Sequence, residues 1–125
     1  MIRGGVPVLR MSSAAASEAF YCGALGFELE FSVPANETQR DPCYMGVSRD
    51  GAGLHLSGHP GDGVFGGVVL FFCDDVDALH AEFIAKGVAI HLAPVDQTWG
   101  RRELYVRDPD ENSVRFSSPV KGEEQ

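Results

Sequence analysis

Two stretches of this chain set out apolar and polar positions in the same order. LRMSSAAASEAFYCGALG (9–26) and LFFCDDVDALHAEFIAKG (70–87) each close an apolar strand, pass a small or acidic cap, run as a helix and stop at glycine. Further on, RDGAGLHLS (49–57) answers DPDENSVRFS (108–117). A repeat about 60 residues long organises the whole sequence. Period-two alternation predicts strands at 6–11, 27–32, 44–48, 52–57, 67–73, 88–93, 102–107 and 112–117. In the second helix Asp74 or Asp75 can accept from free N–H groups, Val76, Leu79, Phe83 and Ile84 form one stripe, and Gly87 supplies the left-handed stop. In the first, Ser12 or Ser13 caps, Ala16, Ala19, Phe20 and Ala24 are expected to face inward, and Gly26 stops.

The pattern implies one α+β domain over 1–125, built from two paired βαβββ modules at 5–60 and 64–119 with a short polar tail at 120–125. A polar loop, SVPANETQRDP (32–42), interrupts module one, and HPGDGVFG (59–66) links the halves. At this length the chain can bury one substantial core, and 44% hydrophobic against 22% charged residues is a globular balance. The net charge of −8, without a basic run, argues against nucleic acid or anionic membrane as partner and favours cationic ones. No secretory signal and no apolar segment of about 20 residues is evident. Cys22, Cys43 and Cys73 are odd in number and lack metal-ligand spacing, so they are expected to be free thiols in a reducing cytoplasm.

The motifs narrow this further. VPVLRMSSAAASEAFYCGALGFELEF (6–31), with its F-Y-x-x-x-L-G-F core, and WGRRELYVRDPDENSVRF (99–116), with W-G-x-R-E before an Asp-Pro turn, resemble the two ends of the glyoxalase/bleomycin-resistance/dioxygenase (vicinal oxygen chelate) superfamily. Similarity runs from about residue 6 to 118. The resemblance implies curved sheets that enclose a cavity. Its metalloenzymes set four ligands on those sheets, at positions that fall on Val6, His55, Val68 and Arg115. Two valines offer no donor, one imidazole is a single donor and a guanidinium repels a cation, so neither metal nor other cofactor nor catalytic residue is expected. The alternative is a lyase or oxygenase of glyoxalase or dioxygenase kind with a non-standard metal site.

Within the superfamily the chain is most similar to bleomycin-resistance proteins, which sequester a drug without turning it over. That similarity implies a homodimer exchanging its first strand near Pro7, with ligand clefts at the interface. Its drug-stacking aromatics fall on Phe31, Tyr44 and Trp99, and its loop acids loosely on Glu37 and Asp41; Glu111 stands where the turn usually has glycine. The expected ligand is a small, partly aromatic and cationic molecule, bleomycin-like in kind. Trp99 is expected to stack, since polar neighbours place it in a loop. Val114 and Phe116 face the helix, which turns Arg115 the other way, as an anion or hydrogen-bond anchor or paired with Glu103. His55 is expected to line the wall, and Val8, Leu70 and Phe72 to complete an apolar lining. Asp108-Pro109-Asp110 is read as turn chemistry.

Overall fold

Alternating apolar residues give eight strands here because each sheet buries only one of its faces. In the computed structural model, which describes residues 1–122, the order is β1 (Val8–Arg10), α1 (Ala14–Glu18), β2 (Glu28–Val33), β3 (Tyr44–Arg49), β4 (Ala52–Ser57), β5 (Val68–Phe72), α2 (Val76–Ala85), β6 (Ile90–Asp96), β7 (Arg101–Arg107) and β8 (Ser113–Pro119). The expected tail at 120–125 lies partly outside the described residues. Two four-stranded sheets form, in the orders β1-β4-β3-β2 and β5-β8-β7-β6. In each, the first strand runs parallel to the fourth and the other pairs are antiparallel. The expected pair of βαβββ modules is present. β1 is shorter than expected and closes its own chain's sheet against β4.

The helix caps follow the sequence, but the buried faces differ from the expected ones. Ser13 Oγ accepts from Ala16 N, and Asp75 accepts from the amides of Asp77 and Ala78. Gly26 (φ 77°) and Gly87 (φ 79°) stop the helical segments in the left-handed region. After Glu18, however, the first helix widens into a π-helical turn over Ala19–Ala24. Ala14, Ser17, Tyr21 and Leu25 recur at helical spacing and are buried, while Ala16 and Ala19 lie off that stripe and are exposed. Phe20 and Ala24 are half-buried and pack against the core. In α2, Val76 and Phe83 are buried and Leu79 half-buried. Ile84 is exposed, since the stripe through 76, 79 and 83 leaves it on the flank.

One core unites the modules. Phe27 meets Phe71 (5.5 Å between centroids), Phe71 meets Phe116 (5.8 Å), and Phe116 meets Phe83 on α2 (5.4 Å). Polar contacts reinforce the joint, and the Asp-Pro turn, which forms as expected, is also their hub. Asp108 is buried, and its carboxylate accepts from the Tyr21 hydroxyl (2.7 Å), the amides of Asp110 and Asn112, and Asn112 Nδ2. Asp110 accepts from Ser12 N, and Asn112 Nδ2 also donates to the Arg10 carbonyl. Burial first, and then the Asp108 carboxylate, hold the Tyr21 hydroxyl protonated well above the usual tyrosine range. Glu111 occupies the left-handed region (φ 65°), the conformation that glycine suits in this turn. Arg49 clamps Glu82 of α2 with two hydrogen bonds, of 2.7 and 2.9 Å.

Candidate functional site

The faces turned away from this core carry the candidate residues, and they divide between the two sheets. On the first sheet, Tyr44 and Gly46 share a face two residues apart, and Gly46 lies opposite both Phe31 and His55. The missing side chain of Gly46 makes room: a Cβ there would sit 2.4 Å from Phe31 Cε2 and 3.1 Å from His55 Cδ2. Over that gap three rings assemble. Phe31 lies nearly parallel to Tyr44 (6.1 Å, 12°) and edge-on to His55 (5.0 Å, 88°). Tyr44 Oη and His55 Nδ1 are 2.9 Å apart, within hydrogen-bond distance. Val8, Leu29 and Val33 leave further apolar surface exposed on this sheet. The result is an aromatic patch partly open to solvent.

On the second sheet, alternation sends Arg101, Glu103 and Tyr105 of β7 to the same side as Arg115 of β8. Trp99 stands in the turn before β7, 61% exposed, and its indole Nε1 donates to Glu103 Oε2 (3.3 Å). Tyr105 Oη donates to Glu103 Oε1 (2.7 Å), so this carboxylate, only 4% exposed, is held by two donors. The Tyr105 proton is held above the usual range, by burial first and then by Glu103. The Arg115 guanidinium lies 4.4 Å over the Tyr105 ring, and its Nε donates to Ser113 Oγ (3.0 Å). The ion pair considered between Arg115 and Glu103 does not form: register places Arg115 opposite Tyr105, and Glu103 opposite Ser117. Phe72, 75% exposed, packs under the Arg101 guanidinium, and Arg101 also donates to Ser117.

Phe31, Tyr44 and His55 are therefore brought together, and so are Trp99, Glu103 and Arg115. Among the described residues no ring contact or hydrogen bond joins the first group to the second. The loop acids behave differently. Asp41 accepts from Ala14 N at the start of α1, so it is spent as a tether there, while Glu37 is exposed. Gly46, Tyr105 and Arg101 were not singled out in the sequence. An isolated glycine inside a strand, and the alternation that fixes Glu103, were the signals available.

The residues beside His55 and Arg115 on the first strands lie two positions on from Val6 and Val68. His55 lies beside Val8 and Arg115 beside Leu70, whereas Val6 precedes β1 and Val68 lies opposite Ser113. The donor chemistry is unchanged: one imidazole, one guanidinium and two aliphatic side chains do not fit a divalent cation. Among the described residues no three His, Cys, Asp or Glu side chains group where they could hold a metal ion. A separate recess of about 460 Å³ lies between α2 and the β3–β4 turn; its wall includes Arg49, Asp75, Leu79 and Glu82, and Phe72 is the one candidate residue it touches.

Residues 2–123 match the model of a family described as glyoxalase superfamily protein. The chain belongs to that superfamily. TnmS3, an antibiotic-binding protein from Streptomyces sp. CB03234, is 27% identical, with 96% of this chain and 99% of that one covered and a TM-score of 0.74. A glyoxalase/bleomycin resistance protein from the same source is 26% identical, covering 90% and 97% (TM-score 0.72). A bleomycin-binding protein in complex with bleomycin shares the fold at 22% identity, covering 95% and 100% (TM-score 0.75). A comparison with curated proteins found no match.

Proposed function

We propose that this superfamily member captures a small, flat aromatic molecule of antibiotic or metabolite kind and holds it without metal chemistry. The observation that carries this is the open ring cluster of Phe31, Tyr44 and His55 above Gly46, a surface that loses little entropy when a planar ligand stacks on it. Its relatives support the reading, since two of them above 25% identity are an antibiotic-binding protein and a glyoxalase/bleomycin resistance protein. In this reading Trp99 supplies a second stacking surface, Arg115 and His55 orient the ligand, and Phe72 and Glu103 complete the wall. Two copies of the chain cover each other's exposed faces, where Val33, Val68, Leu70 and Phe72 stand open on one chain, and the ligand lies between them. A cytoplasmic site of action fits the three free thiols.

Trp99, the single tryptophan, reports on the site directly. Titration with bleomycin should shift or quench its emission and release heat in parallel. An unchanged spectrum with no heat of binding at high drug concentration removes bleomycin as ligand. The same result with a panel of planar aromatics removes the proposal.

A further inference from the structure

We propose that the ligand presents an anionic or strongly accepting group to Arg115, an assignment that rests on the aromatic capture proposed above and names the chemistry of its second half. Four other arginines are paired with carboxylates: Arg40 with Glu18, Arg49 with Glu82, Arg102 with Asp77 and Asp96, and Arg107 with Glu111. Arg115 is not. Its Nε is spent on Ser113 Oγ and its plane rests on Tyr105, while Nη1 and Nη2 meet no acceptor among the described residues. The carboxylate that could neutralise it across the sheet, Glu103, is nearly buried and already accepts from Trp99 and Tyr105.

This is a guanidinium fixed in advance and left with open donors. The stack sets its plane and the serine sets its rotation, so little side-chain freedom remains to be lost on binding. A carboxylate, phenolate or quinone-type oxygen is the group such a fork accepts best. Arg101, held by Ser117 and stacked on Phe72, adds a second positive charge on the same face. The chain's net charge of −8 points to cationic ligands, but charges beyond about 8–10 Å are largely screened. At contact distance the open charge here is the guanidinium, and it decides the preference.

A matched pair of probes tests the assignment. 1-Pyrenecarboxylate and 1-pyrenemethylammonium share one flat ring system and differ in the sign of charge, and both can be followed by energy transfer from Trp99. The carboxylate is expected to bind at least about tenfold more tightly, with the advantage shrinking as salt is added. Arg115→Gln should erase the preference while both pyrenes still bind, and Arg115→Lys should keep a smaller part of it. Equal binding of the two probes, a preference for the cation, or a preference unchanged in Arg115→Gln overturns the anchor and leaves aromatic capture standing. Should the glutamine variant fail to fold, the lysine variant and the salt dependence of the native chain decide by the same criteria. Binding of neither probe overturns both proposals.

Discussion

Replacing Tyr21 by phenylalanine deletes one oxygen from the joint between the modules and conserves the volume of the ring. The edge-on contacts of that ring with Phe20 (5.2 Å) and Phe27 (6.0 Å) can remain, so the change isolates the 2.7 Å hydrogen bond to Asp108. Hydrogen bonds to charged groups contribute about 1.5–3 kcal/mol. Asp108 keeps three other donors in the variant, which places the loss near the lower end, at about 1.5–2 kcal/mol. With a urea slope of about 2 kcal/mol/M, the unfolding midpoint should fall by roughly 1 M at neutral pH.

The pH dependence sharpens this test. An unfolded tyrosine ionises near pH 10. In the folded chain burial, and then Asp108, keep the proton in place well above that pH. The contribution of Tyr21 is therefore complete below about pH 10 and falls as pH rises further, by about 1.4 kcal/mol per unit. The phenylalanine variant has no such proton, so the gap between the two chains should narrow from pH 10 to 11. Equal midpoints at pH 7, or a gap that stays constant from pH 8 to 11, would refute the account of this joint.

Two further outcomes are expected. Gly46→Ala should drive the Phe31 ring away from His55, because the added methyl would lie 2.4 Å from Cε2; the His55 ring protons should lose their ring-current shift and binding of 1-pyrenecarboxylate should weaken. Arg102 holds Asp77, and Arg49 holds Glu82, below the usual carboxylate range through direct hydrogen bonds. The stability these pairs confer is present above about pH 4 and is lost as pH falls through their lowered values. Asp77→Asn should therefore melt below the native chain at pH 6, with the two melts converging in strong acid.

The strands and the module repeat were legible because each sheet buries one face, and period two records that directly. β3 and β4 begin at Tyr44 and Ala52, as alternation predicted. The buried face of the first helix was not legible. Its buried stripe of Ala14, Ser17, Tyr21 and Leu25 includes a polar serine, and the run AAASEA offers alanines on every side, so apolarity alone does not mark which face turns inward. Polar partners across the modules were equally hidden. Asp108 reads as turn chemistry until Tyr21, far away in sequence, is seen to donate to it. The direction of Arg115 followed from Val114 and Phe116, but its neighbour depended on register, which alternation leaves open by steps of two. The same step of two separates Val6 from Val8 as the residue beside His55.

The division of the candidate residues between two sheets has a consequence for how such a protein can be re-engineered. The ring cluster of Phe31, Tyr44 and His55 lies wholly within module one and Trp99, Glu103 and Arg115 wholly within module two, and each module has its own strands, helix and caps. On the proposed reading, the ring cluster and the charge selection are therefore separately adjustable. Grafting the 64–119 segment of a relative onto residues 1–63 of this chain would exchange the charge preference and the Trp99 surface, and retain the part of the planar-ring preference that Phe31, Tyr44 and His55 supply. The graft would be most stable where the donor segment kept Asp108 for Tyr21 and Asn112 for the Arg10 carbonyl, so the joint, as well as the pocket, ranks the chimaeras.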